Sequence, residues 1–273
     1  GSVYASLGSR VSVVEMLDDL LAGADRDLVR PLERRLKKQF ESILTKTKVA
    51  SMREENDEVI VSLEKEDGST EEQSFGRVLV SIGRRPNSEN LGLEHTNVEV
   101  DDRGFVVTDE TCATAEPSIL AVGDVAGQPM LAHKATHEGL VAAAVAAGKK
   151  AAFQPNCIPA VVFTDPEIAW VGLTETEAKA KKVPVNVAKF AWGASGRAMT
   201  LERTEGLTKL VVDEETGRVL GAGLCGAGAG ELIAECALAI EMGSTAEDLA
   251  LTIHPHPTLS ETIMEAAEAF GGH

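Results

Sequence analysis

Positive charge is scarce in this chain. Its 273 residues hold 26 Lys and Arg against 43 Asp and Glu, for a formal net charge of −17. A surface so acidic repels phosphate backbones and anionic lipid, so no nucleic-acid partner is expected and a basic protein is the charge-matched alternative. Long apolar runs are missing too. None approaches the roughly 18–20 residues of a membrane-spanning helix, and no basic, apolar leader opens the sequence. A soluble protein with no membrane span is expected. Cysteine is sparse: Cys112, Cys157, Cys225 and Cys236 share no C-x2-C, C-x4-C or zinc-ligand spacing. This excludes a disulfide-stapled scaffold and a local redox couple, and it predicts four buried single thiols in a reducing compartment, with no metal site.

What is present is an ordinary globular composition. The 44% hydrophobic and 25% charged residues rule out disorder as the main state, and the length allows two compact units or three small ones at roughly 100–200 residues per domain. An initiator methionine is absent. The opening GSVYASLG reads as the end of a helix with Gly8 as its stop signal, and residues 10–15, RVSVVE, read as a β-branched strand closing on an acid. Helix, strand and acid form the second half of a dinucleotide-binding βαβ unit, whose phosphate-binding glycines precede the acid by about 20 residues and so fall before Gly1. The sequence is therefore expected to be part of a longer protein.

Asp25 is placed to cap a helix in which Leu28, Leu32, Leu36 and Phe40 recur at every fourth position, one apolar stripe under a basic face. Pro31, inside it, is expected to bend the axis. Strands are expected at 48–52, 58–63 and 75–82, the last two joined by a hairpin carrying Asp67-Gly68. Val78 to Ile82 is nearly all apolar, which predicts a strand buried on both faces and ending at Gly83, where a backbone or ligand comes close. The same phrase recurs at 119–122 before Gly123-Asp124, and would place the Asp124 carboxylate at the carboxyl edge of a sheet. A loop over 127–133 and an alanine-rich helix over 137–149 follow, and Pro155, Pro159 and Pro166 then mark a composition change. A boundary is placed near residue 152. Strands at 169–172, 185–190, 208–212 and 219–225 and helices at 231–242 and 259–269 give an α+β unit after the α/β one.

Several residues could carry chemistry. Glu15, ending its strand, is suited to hydrogen-bond an adenosine ribose and to repel a 2′-phosphate, which favours NAD over NADP; the plain alternative is an exposed strand-end acid. Asp124 offers a carboxylate and Gly83 room, yet both also read as turn chemistry after strands. The densest pattern is His254-Pro255-His256-Pro257-Thr258-Leu259-Ser260-Glu261, two imidazoles held by two prolines just before a helix. With Thr258 as cap, Glu261 stands three residues on, at the capping-box position. The other reading has Glu261 orienting an imidazole that works as a general acid–base. The residues alone leave both readings open. A zinc site is less attractive, because no third ligand is near in sequence. GAGLCGAGAGE fits G-x-G-x-x-G at Gly221, Gly223 and Gly226, but no acid-terminated strand follows and close helix–sheet packing is preferred.

Taken in order, RVSVVE, SIGRRPN, ILAVGDVAGQPMLAHKATHEG, FTDPEIAWVGLTE, WGASGRA, GELIAECALAIEMG and HPHPTLSE resemble landmarks of the flavoprotein pyridine nucleotide-disulfide oxidoreductases across the whole chain. The last block is most similar to the branch that oxidises dihydrolipoamide. The resemblance implies a partial Rossmann-like NAD-binding domain at 1–84, a central FAD-contacting segment at 85–152 and a dimerisation domain at 153–273. It implies contacts to NAD from Glu15, Val49 and Gly83, to the FAD ribityl chain from Asp124, and to the flavin from backbone groups of Met130, Leu131, Ala132 and His133. It makes His256 the acid–base and Glu261 its orienting partner, acting across a homodimer interface on the partner subunit's dithiol. Electrons would pass from dihydrolipoamide through the dithiol and FAD to NAD. The implied partners are a second copy and the lipoyl domains and acyltransferase core of a 2-oxo acid dehydrogenase complex, in a bacterial cytoplasm or a mitochondrial matrix. The family's first flavin-binding segment, with its C-x4-C couple, does not occur in this sequence. The chain alone is therefore expected to be inactive, the alternative being a non-catalytic dimerisation and binding module.

Overall fold

Gly8 ends helix α1 (Ser2–Ser6): its φ of +95° lets Gly8 N reach Ala5 O at 3.0 Å and Ser9 N reach Tyr4 O at 2.9 Å. The computed structural model describes residues 1–271. Strand β1 (Ser12–Val14), helix α2 (Arg26–Gln39) and strand β2 (Ser42–Leu44) follow, and β1 pairs with β2 in parallel. The helix and strand expected at the start of the chain are present as α1 and β1, but the β1-α2-β2 crossover was not expected, because the three-residue β2 was too short to stand out in the sequence. Leu28, Val29, Leu32 and Leu36 of α2 are buried in one cluster with Ile168 and Cys225. Full burial is worth roughly 1.5–3 kcal/mol for each large aliphatic side chain, enough to hold the helix together. It runs through Pro31 as one element, because a proline there deprives only the Asp27 carbonyl of its helical partner.

Strands β3 (Thr47–Glu55), β4 (Glu58–Lys65) and β5 (Thr70–Phe75) form an antiparallel sheet in that order. The turn between β4 and β5 carries Asp67-Gly68 as expected, with Asp67 Oδ1 accepting from Ser69 N at 2.9 Å. The third strand itself corrects the expected 75–82. It ends at Phe75, and the apolar run beyond forms no strand, with Ile82 94% exposed. An apolar run shows only that burial is favourable; a central strand also needs backbone partners on both sides, and no described strand pairs with this one.

By contacts, residues 80–158 form one compact unit, and residues 1–79 form another with those from Pro159 on. In the 80–158 unit the expected strand at 119–122 is likewise absent. Leu120 makes a single bridge to Ala113, and Gly123–Val125 is a short 3-10 turn. Helix α3 (Ala132–Ala146) starts within the expected loop, since its N-cap, Leu131, makes no side-chain cap bond and leaves no signal in the sequence.

The last segment builds strands β6 (Ala160–Val162) and β7 (Glu167–Gly172), helix α4 (Glu175–Lys181), strand β8 (Val185–Ala191), helix α5 (Gly196–Thr200), strands β9 (Leu207–Asp213) and β10 (Val219–Gly226), and helices α6 (Ala229–Glu241), α7 (Ala246–Leu251) and α8 (Glu261–Gly271). The five strands make an antiparallel sheet in the order β6-β7-β10-β9-β8. Helix α6 packs on β7 and β10, α8 on β8 and β9, and α2 also meets β10. The glycine run of β10 makes these approaches possible: a Cβ on Gly221 would lie 1.9 Å from Leu173 O, and one on Gly223 2.4 Å from Leu28 Cδ1. Packing, not phosphate binding, accounts for these glycines. The fold is thus α/β followed by α+β. Cys112, Cys225 and Cys236 are buried, but Cys157 is half-buried, a correction that follows from its place in the irregular, proline-containing stretch before β6. No described helix is long and apolar enough to cross a membrane.

Candidate active site

Glu261, the first residue of α8, uses its two oxygens for two tasks. Oε2 accepts from Thr258 N at 2.7 Å and Oε1 accepts from His256 Nδ1 at 2.8 Å; because α8 begins at Glu261 itself, the expected capping box, with Thr258 as cap and Glu261 three residues on, is not formed. One carboxylate thus touches both the turn backbone and the imidazole. Thr258 Oγ1 departs from the expected cap and donates to Pro255 O at 2.7 Å, tying off the turn. The Thr258 amide, followed by the His256 ring, holds the Glu261 carboxyl below the usual carboxylate range. An ionised carboxylate only accepts, so Nδ1 carries the ring proton and the neutral ring keeps its lone pair on Nε2. That atom has no partner among the described residues, on a side chain 78% exposed. The arrangement is an oriented imidazole ready to exchange a proton with a partner in solvent.

What stands behind it left no local pattern in the sequence. His254 is the neighbouring histidine but its side chain is only 4% exposed, with Nε2 2.7 Å from Glu235 Oε1 on α6 and Nδ1 2.8 Å from Thr252 O. Only α6 packing beside this turn joins two residues 19 apart.

The nucleotide candidates fall into two groups. Glu15 Oε1 accepts from Leu17 N at 2.9 Å, and its carbonyl accepts from Thr47 N at 3.0 Å, which sets Val49, partly exposed on β3, two residues along the strand. In the 80–158 unit, Gly83 has φ +135° and open space where a Cβ would stand. Arg84 Nη1, next to it, lies 3.2 Å from Asp124 Oδ2. Met130 N donates to Gln128 Oε1, Leu131 is the N-cap of α3, and Ala132 and His133 are exposed in its first turn. A buried pair unseen in the sequence braces this region. Glu138 Oε2 accepts from Gly123 N at 2.7 Å and Oε1 meets Lys134 Nζ at 2.6 Å.

A second ionic cluster lies within the sheet unit. Lys209 Nζ, 1% exposed, is 2.7 Å from both Asp25 and Asp27 and 3.2 Å from Glu175. Asp25 is the N-cap of α2 by position, but its carboxylate does not cap α2 as expected. It accepts from Glu175 N at 2.9 Å and Thr176 N at 3.0 Å, capping α4 instead. Four donors, Lys209 and the Thr176 hydroxyl included, outcompete the local amide. Burial alone would raise the Asp25 pKa, yet Lys209, Thr176 and these amides outweigh it and bring it down to about 2. The three carboxylates are close enough to ligate a cation, and the Lys209 ammonium already lies among them.

Residues 1–139 match the pyridine nucleotide-disulphide oxidoreductase family, and residues 158–267 match the dimerisation domain of the same family. The chain belongs to this family. His256 and Glu261 lie in the segment that matches the dimerisation domain. Among curated relatives, dihydrolipoyl dehydrogenase of Vibrio parahaemolyticus is 49% identical over 272 residues, covering 100% of this chain and 57% of the relative. That of Thermus scotoductus is 50% identical over 98% of this chain and 58% of its own length. The chain thus spans a little over half the length of these relatives. Among solved structures, LpdA of Mycobacterium tuberculosis superposes with a TM-score of 0.89 at 30% identity, covering 98% of this chain and 58% of that one. The HOCl-induced flavoprotein disulfide reductase RclA of Escherichia coli gives 0.88 at 26% identity, covering 98% and 61%.

Proposed function

We propose that this chain is the carboxyl-terminal part of an NAD-linked flavoprotein that oxidises dihydrolipoamide to lipoamide, with His256 as its acid–base and Glu261 as the group that orients it. The single observation that carries this reading is the exposed His256 ring held to Glu261 at 2.8 Å with Nε2 turned free. Thiol–disulfide exchange needs thiolates, and at neutral pH a thiol must hand its proton to a nearby base and later take one back. Nε2 receives the proton, while the Glu261 charge compensates the one the ring then carries. Over the whole reaction two thiols become a disulfide, two electrons and one proton reach NAD, and one proton is released. Apolar Leu238, Met242, Leu251 and Ile253 are exposed beside this segment and support a homodimer in which the ring serves the partner subunit's dithiol.

The residues fit FAD and NAD as the groups that would carry the electrons. Gly83 leaves space for a close backbone approach, Asp124 presents a half-exposed carboxylate, and α3 starts at Ala132, after Met130 and Leu131, without a side-chain cap. Asp124 would hold the FAD ribityl chain, Met130 to His133 the flavin through backbone groups, and Glu15, Val49 and Gly83 NAD; FAD would supply the two-electron relay between thiols and NAD. The functional segments are 1–84, 85–152 and 153–273. The partners that fit are lipoyl domains and the acyltransferase core of a 2-oxo acid dehydrogenase complex, in a bacterial cytoplasm or a mitochondrial matrix. In the full-length enzyme, His256→Gln is expected to lower lipoamide turnover by roughly 10²–10⁴-fold, the usual worth of a positioned acid–base, while NADH oxidation by artificial acceptors continues. Unchanged lipoamide turnover would remove His256 from the reaction.

A further inference from the structure

We infer that Glu235 and His254 are positioning residues, an ionic pin between α6 and the turn before α8 that keeps the His256 ring in its Nδ1–H form against Glu261. This rests on the acid–base reading of His256. A carbonyl oxygen only accepts, so His254 Nδ1, 2.8 Å from Thr252 O, carries a proton. Nε2 faces the Glu235 carboxylate at 2.7 Å and carries one as well. Both contacts are met by a doubly protonated ring, a buried imidazole matched by the partly exposed Glu235 carboxylate.

Between Thr252, bonded to the end of α7, and Leu259, bonded to the start of α8, residues 253–258 lie in neither helix nor strand. Along this stretch Ile253, Pro255 and His256 are exposed, and His254 alone of the four reaches inward. The direction of His256 is thus set from two sides. Thr258 and Glu261 tie the turn to α8, and His254 ties it to α6. The Glu235 carboxylate has no other hydrogen-bond partner among the described residues. If the α6 tie is removed, the turn is left to pivot on Glu261, and the 2.8 Å contact at His256 Nδ1 loses its fixed approach.

Long-range proton–nitrogen spectra of the histidine rings, taken on this chain, test the pin without any turnover assay. His254 is expected to show two protonated nitrogens, and neutral His256 a proton on Nδ1. In Glu235→Leu the His256 proton is expected to shift to Nε2, the tautomer a free ring prefers. Glu235→Gln, whose side-chain oxygen still accepts from His254, should keep the proton on Nδ1. His254→Gln should reproduce the Glu235→Leu pattern, and it provides the same reading if Glu235→Leu does not fold. A singly protonated His254, or an unmoved His256 proton in the folded variant lacking the pin, overturns the inference. Those results would leave the role of His256 standing, whereas unchanged lipoamide turnover in His256→Gln would sink that role and leave the pin.

Discussion

At Lys209, an ammonium 1% exposed meets three carboxylates; at His256, an imidazole 78% exposed meets one. Both lie in the same unit and both set a nitrogen donor against carboxylates. At Lys209 the charges are answered from within, by Asp25, Asp27 and Glu175 and by the further cations Lys189 on β8 and Lys179 on α4, so little is left to react with. At His256 one nitrogen is tied down and the other faces solvent. A buried, saturated cluster therefore serves to register α2 on the sheet, whereas a half-satisfied exposed pair serves exchange. The difference lies not in the residue types but in how many donors and acceptors are left over.

The contrast breaks most readily at Lys209. Lys209→Met leaves Asp25, Asp27 and Glu175 facing one another with their buried cation gone, and is expected to destabilise the fold by about 3–5 kcal/mol in urea unfolding. Glu261→Gln should lower stability by about 1 kcal/mol or less, because its partners are largely exposed. Equal effects from the two substitutions would mean that the clusters do not divide the work in this way.

Acid titration sharpens the same contrast with a smaller effect. Hydrogen bonding from Lys179 foremost, then Lys209 and Lys189, holds Glu175 at about 2 against an ordinary 4.5, and Asp25 sits at about 2 against 3.8. Both native pKa values are depressed, so the stability they contribute is present in full above pH 4.5 and is lost as pH falls through their unfolded values toward about 2. Unfolding free energy measured across that window should fall steeply in the native chain and less steeply in Lys209→Met. A flat profile above pH 3 would count against the cluster as a source of stability.

What the sequence made legible was local. Gly8, the Asp67-Gly68 turn, the α2 stripe and, after residue 159, the four expected strands and two expected helices rest on patterns within a few residues and stand in the fold, although β6 and α7 were not expected and α4 and α5 fall between strands where none was expected. The misses were long-range. Val78 to Ile82 reads as a core strand because apolarity is a property of the segment, but pairing is a property of its neighbours. Asp25 reads as the cap of its own helix because nothing nearby reveals Lys209 and the α4 amides 150 residues away. At the candidate site, His256 and Glu261 are five residues apart and were visible together, while the Glu235–His254 pair and the Glu138 brace under Asp124 required tertiary packing to bring their members together.

The exchange role assigned to the exposed pair is tested most directly by rapid mixing of the full-length flavoprotein with each substrate in turn, following the flavin absorbance. In His256→Gln, flavin reduction by dihydrolipoamide should slow by roughly 10²–10⁴-fold while reduction by NADH keeps its rate, since only the sulfur side needs the proton. Slowing of both half-reactions alike, or of neither, would contradict it.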